Sequence, residues 1–147
     1  MRGLRTLLAT LALAAGLATG AARADEGIKV DAELVLAVDV SRSMTARELE
    51  IQRRGYAEAL VSDEVVDAIA RGYHGQVAML FMEWAGMRSR RVVVGWTLIR
   101  GRDDAQAFAD KLTADFSSGM RRTSISGAID FAATLFEDNG FDSHRQV

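Results

Sequence analysis

Three side chains with hard oxygen donors stand at alternate positions in the first third of the chain: Asp39, Ser41 and Ser43. One carboxylate and two hydroxyls suit Mg²⁺, Mn²⁺ or Ca²⁺, which prefer oxygen ligands, better than Zn²⁺ or Cu²⁺. The same residue types also cap helices and close turns, so the triplet alone is a weak indication of a cation site. The elements around it decide how much weight it carries.

The triplet lies between a predicted strand and a predicted helix. Residues 34–40 begin as a continuous apolar run, which is typical of a strand buried on both faces. Thr45 and Glu48 have the spacing of a capping box, which predicts that a helix begins there. The three donors therefore occupy a loop at the carboxyl end of a strand, where open α/β sheets place their ligand sites.

A second oxygen-rich loop, within residues 119–129, opens another predicted helix at Thr123. If both helices pack on the same sheet, their amino-terminal ends lie side by side, and so do the two loops. Arg121 and Arg122 directly precede this helix. They could steer an acidic partner toward the site, with an ordinary solvated loop as the alternative.

The order of the predicted elements is that of an α/β fold. The short turn near Gly86 predicts that the second and third strands pair as an antiparallel hairpin. We expect Glu83 to be a surface carboxylate at the end of this hairpin, with a buried acid as the alternative, and Arg53 to lie on the outer face of the first helix. In chain order we predict a strand (34–40), a helix (47–61), a short helix (65–70), strands (76–84 and 91–98), helices (103–115 and 123–138) and a strand opening at 145.

The amino terminus has the form of a secretory signal. Arg2 and Arg5 precede an apolar stretch of residues 7–18, and a small-x-small site ends at Ala24. We therefore expect residues 1–24 to be removed and residues 25–147 to be exported, to the periplasm or outside the cell. Removal changes the net charge from −2 to −5, because the segment carries three arginines and no acidic residue.

The composition excludes several classes of function. A mildly acidic domain argues against nucleic acid or an anionic membrane surface as the partner. The chain has no cysteine, so disulfides, thiol catalysis and thiolate metal sites are excluded. No segment after the signal is apolar enough to span a bilayer.

The two loops together resemble those of a von Willebrand factor type A (vWA) domain, over about residues 31–147. Asp39-x-Ser41-x-Ser43 with the following Met is similar to the first metal-site loop of that family, and residues 122–129 are similar to the second. Two further patterns resemble an uncharacterised bacterial group of exported A-type domains: Glu83-Trp84-Ala85-Gly86 and Gly95-Trp96-Thr97-Leu98-Ile99.

The resemblance implies a three-layer, doubly wound, mostly parallel sheet that carries a metal-ion-dependent adhesion site. Ser41 and Ser43 would ligate a divalent cation, Thr123 would join directly or through water, and Asp39 would act through a bridging water. An acidic residue of a partner protein would complete the shell. The family's third loop normally supplies another Asp and would follow the strand that opens at 145, so we expect a partial vWA-like domain over 25–147 and a fragment of a longer protein.

The function expected from this reasoning is non-enzymatic: binding of a partner protein through the cation. The alternative is a hydrolase that uses the same cation to activate water, for which the sequence offers no good general base. A third reading is a structural domain whose metal site is vestigial. His74 and His144 are expected to be surface residues rather than ligands.

Overall fold

The computed structural model describes residues 27–41, 44–86, 88–114 and 124–147. Within these ranges the chain forms a mixed α/β fold with four helices. The strands are β1 (Ile28–Lys29), β2 (Glu33–Asp39), β3 (Val77–Trp84), β4 (Arg90–Ile99) and β5 (Phe141–Asp142), and the helices are α1 (Ala46–Leu60), α2 (Asp63–Ala70), α3 (Arg102–Ala114) and α4 (Ile125–Thr134).

The central sheet has the strand order β2-β3-β4. Strands β2 and β3 are parallel, whereas β3 and β4 are antiparallel, which confirms the predicted hairpin. The register sets Asp39 opposite Trp84, so β2 and β3 end together. On the other side of β2, Gln146 forms a parallel bridge with Glu33, and the N–H of Val147 donates to the Glu33 carbonyl at 2.9 Å. Where the sequence predicts that a strand opens at 145, the structure has an isolated bridge and backbone hydrogen bonds to β2.

Two short strands were not predicted. Strand β1 pairs in parallel with β5, and this pair forms a separate two-stranded sheet at the amino-terminal end of β2. Each strand has only two residues, and their partners are more than one hundred positions apart in the chain. Local sequence patterns do not report such distant pairing, because the pairing depends on tertiary contacts.

The two faces of the central sheet carry separate apolar clusters. Because β3 side chains alternate between the faces, Phe81 belongs to the first cluster and Met82 to the second. The first cluster includes side chains of α1 and α3, which contact each other, and the second includes Ala128 of α4. All eight residues of β3 are buried, so this strand is the centre of the core.

Side-chain caps define the helix that follows β2. The Thr45 hydroxyl accepts a hydrogen bond from the Glu48 N–H at 3.3 Å, and the Glu48 carboxylate accepts one from the Thr45 N–H at 2.7 Å. The predicted capping box is therefore confirmed. The hydrogen bond from the Thr45 backbone stabilises the ionised form of Glu48 and lowers its pKa.

Helix α4 differs from the prediction at both ends. Its cap is Ser124, so the helix begins at Ile125 and not at Thr123. It ends at Thr134, because the next amides bond to carbonyls three residues back and the indole N–H of Trp96 donates to the Leu135 carbonyl at 2.8 Å. Asp138, the last residue of the predicted helix, has a positive φ of 48°.

Candidate functional site

The first candidate loop begins as a turn closed by Asp39. Asp39 is the last residue of β2, and its Oδ1 accepts a hydrogen bond from the N–H of Ser41 at 2.7 Å. Asp side chains commonly close turns in this way, two residues ahead in the chain. The Met44 N–H then donates to the Ser41 carbonyl at 3.0 Å. Ser41 is buried, with 7% of the residue exposed.

Two consecutive carbonyls at the end of β3 accept hydrogen bonds from the described residues that border the two candidate loops. The Val40 N–H donates to the Trp84 carbonyl at 2.9 Å, and the Ser124 N–H donates to the Ala85 carbonyl at 2.7 Å. The residue after Asp39 and the residue that caps α4 are therefore fixed to neighbouring residues of one strand end. The chain segments that flank the two oxygen-rich loops meet at the carboxyl edge of the parallel β2–β3 pair.

Only part of the predicted site falls within the described residues. Asp39 and Ser41 are placed as given above, whereas Ser43, Thr123, Arg121 and Arg122 lie outside the described residues. A hydroxyl that the prediction did not use, that of Ser124, accepts from the Gly127 N–H at 3.4 Å as the cap of α4. The residue pattern could have indicated it, because Ser124 follows Thr123 directly and both side chains are good helix caps.

The expectation that Glu83 is a surface carboxylate was wrong. Glu83 is 2% exposed, and its Oε1 accepts from Arg53 Nε at 2.7 Å. Its Oε2 accepts from Arg91 Nε at 3.0 Å. Arg53, placed by the prediction on the outer face of α1, is also 2% exposed. The charges are buried because they neutralise each other, and an isolated charge in this position would be costly.

A sequence signal for this buried pair exists. Arg53 stands four residues after Leu49 and three before Tyr56, so it lies on the apolar stripe of α1. Glu83 stands inside the apolar run of β3, with Met82 and Trp84 on either side. A basic residue on a buried helix stripe and an acidic residue in a buried strand together indicate an internal ion pair.

An apolar concavity lies beside the candidate site. It has a volume of about 340 Å³, and α4 supplies most of its lining together with Ala37 and Trp84. Ile125 and Ile129 of this lining are each 63% exposed, whereas Ala128 between them is buried. The apolar side chains of α4 are therefore only partly covered within the described chain.

The described residues contain no group of three or more His, Asp or Glu side chains that could hold a metal ion. The predicted donor set has one carboxylate and otherwise hydroxyls, so it does not depend on such a group. His74 and His144 are both exposed, as expected. The His74 ring contacts Tyr73 edge-on, with 4.9 Å between the ring centroids.

Comparison with known proteins identifies a family for most of the chain. The model of a family described as "Protein of unknown function (DUF1194)" matches residues 29–147. No curated protein and no solved structure matched the chain. Across the described ranges, none of the helices is both long and apolar enough to cross a membrane.

Proposed function

Since the chain belongs to the DUF1194 family of proteins of unknown function, we propose for it the function that its candidate site supports best: cation-mediated binding of a partner protein. The cation is Mg²⁺, Mn²⁺ or Ca²⁺, and its protein ligands come from Asp39, Ser41, Ser43 and Thr123. An exposed acidic residue of the partner completes the coordination shell. Arg121 and Arg122 help to attract this partner.

One observation carries the proposal: the amides of Val40 and Ser124 bond to consecutive carbonyls at the end of β3. These hydrogen bonds anchor two segments at one edge of the sheet. One segment contains Asp39 and Ser41, and the other begins at Ser124, the residue after Thr123. Oxygen donors from two loops are what a hard cation needs for several ligands at once. Either loop alone would supply too few.

The roles of Asp39 and Ser41 follow from their hydrogen bonds. Asp39 already accepts the Ser41 N–H, so its carboxylate fixes the turn and reaches the cation best through a bridging water. Ser41 offers its hydroxyl to the cation directly. A site with few protein carboxylates leaves most of the ion's charge uncompensated, which favours binding of a carboxylate from outside.

We extend the proposal to the fold: a vWA-like, three-layer, doubly wound sheet. It is supported by the parallel β2–β3 pair, by antiparallel β4 at one edge and by residues 145–147 beginning to pair in parallel along the other edge. Apolar clusters on both faces of β3, one with α1 and α3 and the other with α4, agree with helices on each side.

Binding is proposed here in preference to catalysis. A hydrolase would need a general base near the cation. Asp39 is occupied in holding the loop, and Glu83, the buried carboxylate on the neighbouring strand, is paired with two arginines. The signal pattern of residues 1–24 supports export, so the binding takes place in the periplasm or outside the cell.

Thermal unfolding with and without Mg²⁺ or Mn²⁺ tests this function. A cation that binds only the folded state at about 100 times its Kd stabilises that state by about 2.7 kcal/mol, so the midpoint should rise by several degrees. Asp39→Ala should abolish the rise. The control is Asp31→Ala, which removes a carboxylate at the other end of β2 that accepts from the His74 N–H at 2.8 Å and from the Gln76 N–H at 3.2 Å.

The control variant should unfold at a lower temperature and still respond to the cation. An unchanged midpoint in the unmodified protein, or a rise that survives Asp39→Ala, would contradict the proposal.

A further inference from the structure

We infer that Glu83 is a positioning residue: it sets the relative position of the end of β2 and the start of α4, and through them the affinity of the cation site. Within the described residues, the Glu83 side chain forms hydrogen bonds to Arg53 and Arg91 and none to Asp39 or Ser41. Its second half, the effect on affinity, rests on the proposed function. Its first half, the positioning of the two segments, can be tested without any cation.

The side chain of Glu83 joins two elements, α1 and β4, to the end of β3. Arg53 of α1 donates to one carboxylate oxygen at 2.7 Å, and Arg91 of β4 donates to the other at 3.0 Å. Both Glu83 and Arg53 are almost fully buried, with 2% and 3% of their side chains exposed. Charge-assisted hydrogen bonds of this kind are short, directional and hard to replace with water in the interior.

Arg53 extends the same network to α3. Its Nη1 donates to the carbonyl of Leu112 at 3.3 Å, two residues before α3 ends at Ala114. This carbonyl is among the last four of the helix, which have no partner within the helix. The positive charge of the Arg53 guanidinium at this position also complements the negative end of the α3 helix dipole. Displacement of Glu83 would therefore weaken the contacts that Arg53 makes with β3 and with the end of α3.

The backbone that follows Glu83 anchors the end of β2 and the start of α4. The carbonyls of Trp84 and Ala85 accept hydrogen bonds from the N–H groups of Val40 and Ser124, respectively. The hydrogen bonds of the Glu83 side chain therefore also restrict the carbonyls of Trp84 and Ala85. These two carbonyls set the distance between Val40 and Ser124. Outer partners that orient metal-binding segments commonly change metal affinity by about 10–100-fold when they are removed.

The experiment compares two buried glutamates on adjacent strands. Glu83→Gln alters the network, while Glu33→Gln makes the same chemical change at the opposite end of β2, where Glu33 is 1% exposed and accepts from Ser143 at 2.9 Å. A double variant, Glu83→Met with Arg53→Met, removes one charge of each sign and keeps the interior uncharged at this pair. It separates positioning from a simple change in local charge.

Two readouts are needed: Mn²⁺ affinity by titration calorimetry, and hydrogen exchange of the Val40 and Ser124 amides without cation. We expect Glu83→Gln and the double variant to weaken Mn²⁺ binding by about tenfold or more and to accelerate exchange at these two amides. Glu33→Gln should leave both readouts near those of the unmodified protein.

The outcomes distinguish the two levels of the argument. If the folded double variant binds Mn²⁺ as well as the unmodified protein and keeps both amides protected, the positioning role is overturned. If the unmodified protein binds no Mn²⁺, the proposed function fails, and the exchange of the two amides still decides whether Glu83 positions them.

Discussion

Replacing Glu83 alone with methionine is expected to lower the free energy of unfolding by about 3–5 kcal/mol. The substitution leaves Arg53 buried at 2% exposure without the carboxylate that neutralises it. Its hydrogen bond to the Leu112 carbonyl does not compensate, because a carbonyl carries no full charge. Arg53→Met should be similarly harmful, since it leaves the carboxylate buried with only the more exposed Arg91.

The double variant with methionine at both positions should recover most of this loss. Well-packed apolar side chains of similar volume often replace a buried ion pair at little cost. Urea unfolding of the two single variants and the double variant gives the coupling energy directly. Additive losses in the double variant, or losses below about 1 kcal/mol in the single variants, would show that the pair contributes little to stability.

Phe81→Ala should have an effect of comparable size, also about 3–5 kcal/mol. Phe81 is 0% exposed in the middle of β3, and its ring contacts Tyr56 of α1 edge-on, with 5.6 Å between the centroids. The truncation removes this contact and opens a cavity between the sheet and α1. Neighbouring side chains cannot fill it without leaving the packing that holds α1 and α3 together.

The matched control for this truncation is Ile51→Ala. Ile51 lies on α1 as well, but 60% of it is exposed, so its loss should change the free energy of unfolding by no more than about 0.5 kcal/mol. Chemical denaturation of both variants checks the comparison. Equal losses at Phe81 and Ile51 would contradict the assignment of the core to the space between β3 and the two helices.

The sequence predicts the long elements well because their signals are local. Apolar runs gave β2, β3 and β4 to within a residue or two at each end, and the Thr45–Glu48 pair gave the start of α1. The turn at Gly86 gave the direction of the hairpin. In each case the residues that cause the structure are close together in the chain, so their spacing can be read directly.

The features that escaped prediction depend on distant partners. Glu83 and Arg53 are thirty positions apart, and each neutralises the buried charge of the other. Strands β1 and β5 pair with each other although more than one hundred residues separate them in the chain. Helix α4 ends earlier than predicted, next to Leu135, whose carbonyl accepts a hydrogen bond from the indole N–H of Trp96. A short window of sequence reports neither the β1–β5 pairing nor the end of α4, and the buried ion pair is recognisable only when the apolar patterns of α1 and β3 are considered together.

The candidate site could be predicted in part, because some of its features follow from local sequence and others from distant contacts. Asp39 and Ser41 are placed at the carboxyl end of β2, where the strand pattern predicted them. Val40 and Ser124, described residues at the borders of the two loops, are held at this edge by backbone hydrogen bonds to Trp84 and Ala85, which the sequence could only anticipate from a shared sheet. The roles of Ser43 and Thr123 as ligands stay predictions, since both lie outside the described residues.

Titration of the ¹⁵N-labelled protein with Mn²⁺, followed by NMR, shows whether a cation binds at the carboxyl edge of β2 and β3. A paramagnetic ion broadens the amide signals nearest to it, so we expect early loss of the Val40, Ser41 and Ser124 signals. Signals of Ile28 and Phe141, at the other end of β2, should persist, and Asp39→Ala should remove the selective broadening. Uniform broadening, or selective broadening that survives Asp39→Ala, would contradict a cation site at this edge of the sheet.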